Sequence, residues 1–188
     1  ISATGSASIN VLMQNDTQAG SRKFQRRSLV RFNDGHSLLA DPGRGNSLLE
    51  EETMHIVAAV DDRMGLLFNG RRQSRDGVLN ERIASLCNGE LWVSPFSATL
   101  FDGVDIVLHI DEHFLEQAAD GAYCFIEDVS VRAVADAAKS VVLYKWNRAY
   151  PGDFFFDLPV DKAPWHLDGS EDFAGSSHDK ITEEVYRR

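Results

Sequence analysis

Apolar positions from about residue 55 onward alternate between strand-like runs and helix-like segments. The strand-like runs are short and rich in Val, Ile, Leu and aromatic residues, which is typical of buried β-strands. They cover residues 55–60, 89–94, 104–109, 121–127 and 140–148. The intervening segments that predict helices are 75–87, 111–119 and 130–138. Strands that alternate with helices predict an α/β fold with a mixed, mostly parallel sheet and flanking helices.

The segment 75–87 has the clearest helical spacing, and Ser74 stands before it as a predicted N-cap. Its apolar face consists of Val78, Leu79, Ile83 and Leu86. Residues 61–76 are polar and punctuated by glycine, so we expect a loop there. The chain ends in 165–173 and 179–188, which predict an antiparallel hairpin, although the second segment also fits a helix.

Residues 1–53 have a different character from the rest of the chain. They are rich in Ser, Gly, Asn and Arg and contain only short apolar islands, which predicts a disordered or loosely attached N-terminal extension. The domain then covers residues 54–188. Because the chain begins with Ile1 and a strand follows Met54 at once, Met54 is a candidate for the natural start.

Charge and composition narrow the classes of function. Apolar residues make up 43% of the 188, and no apolar run approaches the roughly 18 residues that span a bilayer. Residues 1–53 hold six basic and six acidic residues, so the whole net charge of −10 falls on 54–188. An acidic domain is a poor partner for nucleic acid. The apolar surroundings of Cys87 and Cys124 favour buried thiols in a cytoplasmic protein, with a disulfide as the open alternative.

The order of elements in 55–188 resembles the dihydrofolate reductase fold. "HIVAAVDDRMGLLFN" resembles that family's first strand and loop, and "QSRDGVLNERI" resembles the start of the helix that carries its active-site carboxylate. "VVLYKWNRAYPGDFFFDLP" is similar to the family's run around Gly-Asp, with Gly152, Asp153 and Phe156 in place. The resemblance implies a mostly parallel sheet that closes in a C-terminal antiparallel hairpin.

The departures from that family concern the cofactor. Its reductases bind NADPH through a Gly-Gly pair after the fifth strand, where this chain has Glu127 and Asp128. The family's phosphate-contacting turn corresponds to "SPFS", 94–97, which has no arginine. The strand and basic turn that hold the adenosine end have no counterpart between 96–101 and 104–109. Because pyrophosphate needs close backbone approach and positive potential, the resemblance implies that no NADPH site of the usual kind survives. We expect the two acids to stabilise the following helix start instead.

A second resemblance is to short bacterial proteins that carry a ribonuclease Z label. They share segments similar to "GLLFNGRRQSRD" and "LYKWNRAYPGDF". Ribonuclease Z enzymes need an HxHxDH metal motif, and this sequence has none.

Asp76 is the candidate proton donor. If it faces a cleft, desolvation would raise its pKa toward the range that a catalytic acid needs. The alternative is a carboxylate in the first turn of a helix, which the helix dipole favours. Residue patterns alone favour the helix role, and the family resemblance makes the two readings about equal.

Arg71, Arg72 and Arg75 lie together in an otherwise acidic domain. Arginines at this density could hold a carboxylate or phosphate group, or they could pair with nearby acids such as Asp61 and Asp62. We favour the ligand-binding role because such a concentration of cations is unusual in this chain.

Two further groups of residues are weaker candidates for a functional site. His109 and His113 are four residues apart, but His109 ends a predicted strand, so we expect no metal site there. Ser176, Ser177 and His178 contain a nucleophile beside a base. Adjacent residues rarely converge, so we expect no nucleophilic site from them.

Three functions are consistent with these patterns. We favour a small-molecule-binding or regulatory domain that kept the cleft near Asp76 and lost NADPH. An active NAD(P)H-dependent reductase with an altered cofactor mode is the first alternative. An RNA-directed hydrolase is the second, which the acidic domain and the missing metal motif oppose. The expected partner is an unidentified small molecule, with no membrane and no nucleic acid.

Overall fold

The computed structural model describes residues 53–188. The predicted extension 1–53 therefore lies outside the described residues, apart from Thr53. The strands are β1 Met54–Val60, β2 Gly65–Phe68, β3 Arg71–Arg72, β4 Glu90–Val93, β5 Val107–Ile110, β6 Ala122–Ile126, β7 Ala138–Lys145, β8 Phe154–Phe155, β9 His166–Phe173 and β10 Ile181–Arg187. The helices are α1 Gly77–Leu86, α2 Pro95–Ala98 and α3 Phe114–Gln117, with 3-10 turns at Thr99–Phe101 and Arg132–Val134.

Seven strands form the main sheet, in the order β5-β4-β6-β1-β7-β10-β9. The first five of these pair in parallel, and β10 pairs antiparallel with both β7 and β9. The predicted α/β class, the mostly parallel sheet and the closing hairpin are thus confirmed. In the centre, Val57 of β1 lies between Phe125 of β6 and Val142 of β7.

The core lies on both faces of β1, as expected for a central strand of a parallel sheet. One face packs α1, through Leu79 and Ile83, against Val57 and its neighbours. The other face packs Ile56 and Ala58 against the loops and short elements that carry Phe114 and Phe156. The side of the sheet under α1 is the side that contains the candidate site.

The predicted loop 61–76 is wrong in part, because it contains β2 and β3. Asn69 and Gly70 have φ angles of 50° and 66°, and they join the paired residues Phe68 and Arg71. An Asn-Gly pair with left-handed backbone is the usual two-residue hairpin turn, so the sequence signal was present. The hairpin and β8 form a separate three-stranded sheet.

The predicted helix 130–138 is also wrong, since only a 3-10 turn forms there. Asp157 takes the local donors instead: its carboxylate accepts from Ser130 Oγ at 2.6 Å and from Val131 N at 3.1 Å. The helix predicted at 111–119 is a single turn. The helix predicted at 75–87 is confirmed, but its N-cap is Asp76 rather than Ser74.

We expect Ile83→Ala to lower the free energy of unfolding by about 3 kcal/mol, because truncation of a fully buried side chain leaves a cavity between α1 and the sheet. Val78→Ala on the same helix is the matched control. Its side chain is 41% exposed, so we expect a change below about 0.5 kcal/mol. Chemical denaturation measures both, and equal losses would contradict this packing.

Candidate functional site

A small cavity lies between α1, the carboxyl ends of the central strands and the segment 72–75. Its apolar walls come from helix and sheet, and its polar wall comes from the segment and from the turn after β6. The cavity has room for about one water molecule. The residues that line the cavity include Arg72, Gln73, Ser74, Arg75, Asn80, Phe125, Glu127 and Trp146.

Glu127 and Arg72 form a bidentate ion pair at the edge of this cavity. Arg72 Nε donates to Glu127 Oε1 at 2.9 Å, and Nη2 donates to Oε2 at 3.2 Å. The Glu127 side chain is only 8% exposed, and the Arg72 side chain is 19% exposed. Ser97 Oγ also donates to Glu127 Oε2, at 2.9 Å, and Arg72 Nη2 donates to the Phe96 carbonyl at 2.9 Å. The pair thereby joins β3, α2 and the end of β6.

Asp128 extends the same connection to α2. Its carboxylate accepts from Ser94 Oγ at 2.7 Å, and Ser94 Oγ is also the N-cap that accepts from Ser97 N. The expectation that Glu127 and Asp128 stabilise a helix after β6 is therefore wrong. Both acids contact α2 and its cap, because no α-helix forms between β6 and β7 in the described residues.

The electrostatics of the turn follow from this geometry. Burial raises the pKa of the Glu127 carboxyl, and contact with Arg72 and Ser97 offsets only part of that rise. Asp128 adds a further increase. The turn after β6 therefore has no surplus of positive potential, although a guanidinium lies within it.

The three arginines predicted to bind a ligand lie in different surroundings, although Arg72 and Arg75 both line the cavity. The Arg72 guanidinium is committed to Glu127, a partner 55 residues away in the chain rather than Asp61 or Asp62. Arg71 and Arg75 are exposed.

Asp76 is the N-cap of α1 and also accepts hydrogen bonds from the turn at 176–177. Its Oδ1 accepts from the backbone of Val78 and Leu79 in α1 and from Ser176 N, while Oδ2 accepts from Ser177 N at 2.6 Å. Burial raises its pKa, but the hydrogen bonds outweigh that effect and hold the pKa well below the ordinary range. This shift is opposite to the one that the proton-donor hypothesis requires. A Cβ at Gly175 would collide with the carboxylate, so the turn 175–178 packs closely on Asp76.

Asn80 is a site residue that the sequence reasoning missed. It lies one turn into α1, is buried, and lines the cavity, with Nδ2 donating to the Leu100 carbonyl at 2.7 Å. The cavity-facing polar residue of the first helix is therefore an amide. Its signal was a polar residue on the apolar face, between Leu79 and Ile83.

His178, from which no site is expected on sequence grounds, also lies at this cluster. Its ring is buried, stacks on Trp146 with centroids 4.6 Å apart, and is surrounded by hydroxyl groups. Nε2 lies 3.1 Å from Ser74 Oγ and 3.2 Å from Tyr150 OH, and Nδ1 lies 3.0 Å from Ser177 Oγ. The expectation that adjacent Ser177 and His178 would not meet is wrong, because the turn folds the hydroxyl back onto the ring.

Asp61, also buried, fixes the loops around this cluster. Its carboxylate accepts from Gly65 N at 2.7 Å, from Arg63 N at 2.8 Å and from Tyr150 N at 2.9 Å. It therefore ties the β1–β2 connection to the loop that presents Tyr150.

The histidine pair shows no metal geometry in the described part of the chain. His109 lies in β5 and stacks on Trp92, with centroids 4.5 Å apart. Among residues 53–188, no three His, Cys, Asp or Glu side chains are grouped in a way that could hold a metal ion.

Cys87 and Cys124 are buried and unbonded to each other, so the open disulfide alternative is excluded in this structure. Burial raises the pKa of the Cys124 thiol to about 12, which keeps it protonated and unreactive. No helix in the described residues is long and apolar enough to cross a membrane.

Comparison with known proteins agrees with this architecture. No protein-family model matches the chain, and no curated protein matches it. Among solved structures, it is similar to dihydrofolate reductase from Enterococcus faecalis complexed with NADP(H) and RAB-propyl. The TM-score is 0.51 at 11% sequence identity, over 73% of this chain and 97% of that chain. The likeness shows the fold alone: the chain has a dihydrofolate reductase-like α/β fold.

We expect Asp76→Asn to remove a pH-dependent part of the stability. Because the folded pKa of Asp76 lies below the unfolded value, its contribution is present above about pH 4 and is lost as pH falls toward the folded pKa. The stability advantage of the wild type over Asp76→Asn should therefore shrink between about pH 5 and pH 2. Urea denaturation across this range tests it, with Asp102→Asn on an exposed loop as the control. An advantage that grows in acid would contradict the assignment.

We expect Arg72→Met to lower the free energy of unfolding by about 3 kcal/mol, because it leaves the Glu127 carboxylate buried without its cation. Arg71→Met is the matched control: it is the neighbouring arginine on β3, it is exposed, and none of the ion pairs among residues 53–188 includes it. The double variant Arg72→Met with Glu127→Met should recover most of the loss. Additive losses would show that the pair is not coupled.

Proposed function

We propose that this chain is a small-molecule-binding or regulatory domain that keeps the dihydrofolate reductase-like fold and does not use NADPH in the usual position. The observation that carries the proposal is the buried Arg72–Glu127 pair at the turn after β6. The dihydrofolate reductase with a similar fold is a complex with NADP(H). The family resemblance aligns the turn after β6 with the glycines that bind this cofactor, so this turn decides whether a dinucleotide fits.

Charge at the turn opposes a pyrophosphate group. A phosphate brought there would face the carboxylates of Glu127 and Asp128, while the one guanidinium already bonds Glu127 through two nitrogens. Backbone approach is restricted as well, because both positions carry side chains where glycine would leave space. Repulsion in a partly buried site is stronger than in water, since the effective dielectric constant is lower.

The cavity gives a second, independent line of support. Its α1 wall presents the Asn80 amide, which does not protonate, and the nearby Asp76 carboxylate is saturated by hydrogen bonds from α1 and from residues 176–177. Neither group is placed to deliver a proton to a ligand. These features weigh against the alternative of an active reductase with an altered cofactor mode.

The ligand would enter by displacement of the polar wall. A drug-sized ligand needs a pocket of roughly 300 Å³ or more, so this narrow cavity must widen before a molecule of that size can bind. The segment 72–75 covers the apolar walls. Its strand pairing ends at Arg72, and side-chain hydrogen bonds hold it in place, from Arg72 to Glu127 and between Ser74 and His178. No observation on this site favours the RNA-directed hydrolase.

Isothermal titration calorimetry of the full chain with NADPH tests the proposal. We expect no measurable heat of binding, with a functional dihydrofolate reductase as the positive control for the reagent. We also expect no oxidation of NADPH in the presence of dihydrofolate. Micromolar NADPH affinity would refute the proposal, and turnover with dihydrofolate would establish the reductase alternative.

A further inference from the structure

We propose that Ser74, His178 and Asp76 form a nucleophilic site that cleaves short-chain acyl esters. Ser74 Oγ would be the nucleophile and His178 Nε2 the general base, and Asp76 would orient the ring through the Ser177 hydroxyl that lies between them. The argument against NADPH rests on Arg72, Glu127 and Asp128, which take no part in this site, so calorimetry with NADPH and the ester assays below test the two proposals separately.

The distances match the requirements of such a site. A serine nucleophile and its base should be about 2.6–3.2 Å apart, often somewhat more without substrate, and a third group should hold the base. Ser74 Oγ lies 3.1 Å from His178 Nε2. On the far side of the ring, His178 Nδ1 lies 3.5 Å from Asp76 Oδ2. Ser177 Oγ bridges them, 3.0 Å from Nδ1 and 2.9 Å from Oδ2.

Hydrogen bonding selects the tautomer that the chemistry needs. Asp76 receives four backbone N–H donors and one hydroxyl, so its carboxylate is ionised and can only accept. The single Ser177 hydroxyl hydrogen has the Arg75 carbonyl at 2.8 Å and Asp76 Oδ2 at 2.9 Å as acceptors, so we assign the ring hydrogen to Nδ1, which donates to Ser177 Oγ. Nε2 is left with its lone pair directed at Ser74, which is the state in which it can take the serine proton.

The ring is also held in place. The side chains of His178 and Asp76 are 5% and 0% exposed. Trp146 stacks on the ring, and the His178 carbonyl accepts from Gly175 N at 2.8 Å. Ser74 lies beside Nε2 and Asp76 lies on the Nδ1 side of the same imidazole, although the two residues are only two positions apart in the chain.

The reaction balances without a cofactor. The Ser74 hydroxyl proton moves to Nε2 as Oγ bonds to the ester carbonyl carbon, and the carbon–alkoxide bond then breaks as Nε2 returns that proton to the leaving alcohol. A water molecule then gives a proton to Nε2 as its oxygen bonds to the acyl carbon. The bond between that carbon and Ser74 Oγ breaks as Nε2 returns the proton to Oγ, and a carboxylic acid is released. Tyr150 OH, 3.2 Å from Nε2, is a second proton donor on this side of the ring. Arg75 adjoins Ser74 and adds positive charge at the cavity wall, where negative charge develops on the carbonyl oxygen.

The cavity defines the class of substrate. Ser74 lies on its wall, opposite apolar groups that include Phe125 and Trp146. With space for about one water molecule, it accepts a methyl-sized group, which points to acetyl esters. The alcohol portion would remain outside, past the exposed side of residues 74–75.

Two measurements on the full chain test the proposal. The first is hydrolysis of p-nitrophenyl acetate, and the second is labelling by methanesulfonyl fluoride, whose methyl group matches the cavity, followed by peptide mass mapping. We expect ester hydrolysis that falls by about 100-fold or more in Ser74→Ala and in His178→Gln, since loss of base catalysis costs at least that much. We also expect the label on Ser74, and its loss in His178→Gln.

The controls separate catalysis from structure. Ser85→Ala, an exposed serine on α1, should leave both readouts unchanged. Unfolding curves of Ser74→Ala and His178→Gln establish that they remain folded, and labelling of the folded His178→Gln variant is a readout that a purely structural histidine would not alter. Hydrolysis equal in wild type and Ser74→Ala, or a label found on another residue or on none, would overturn the proposal and leave the cluster with a structural role.

Discussion

The ion pair between Arg72 and Glu127 is the interaction on which the arrangement of the site depends. It connects the β2–β3 hairpin to the end of β6, and Ser97 and the Phe96 carbonyl bring α2 into the same network. A buried pair of this kind adds little stability by itself, because desolvation offsets most of the attraction. The pair instead fixes the position of the hairpin. Separation of Arg72 from Glu127 would leave a buried charge without its partner, so the hairpin stays over the cavity.

Hydrogen-bonded carboxylates also organise the side of the cavity formed by α1. Asp76 caps α1 and receives the turn at 176–177, which places His178 against Ser74 and Trp146. Asp61 does the equivalent for the loop that carries Tyr150. Buried carboxylates that accept backbone N–H groups therefore hold together three loops distant in the chain, and the polar side chains of the cavity take their positions from those loops. A dihydrofolate reductase-like fold thus supports a site whose polar groups mainly bond one another.

Element types could be predicted wherever apolar periodicity was strong. The central strands, α1 and the closing hairpin follow from it, since burial on one or both faces leaves a pattern in the chain. Predictions failed where a side chain competed with regular structure. At 130–138, Asp157 bonds the donors that a helix would need. The cause differs at 69–70, where the polar Asn-Gly pair fits a loop in the sequence but forms the turn of a hairpin. The site was anticipated only as separate residues, because contacts such as the 55-residue separation of Arg72 and Glu127 leave no local signal.

The amino-acid sequence by itself determined the α/β class, the acidic surface of 54–188 and the presence of two carboxylates after β6. Hydrophobic periodicity and net charge are properties of the chain, so they can be read before it folds. The tertiary structure alone decided which groups pair: that Arg72 serves Glu127, that Asp76 has a lowered rather than a raised pKa, and that Ser74 meets His178. Pairing and pKa depend on distance and desolvation, and these exist only after distant segments come together.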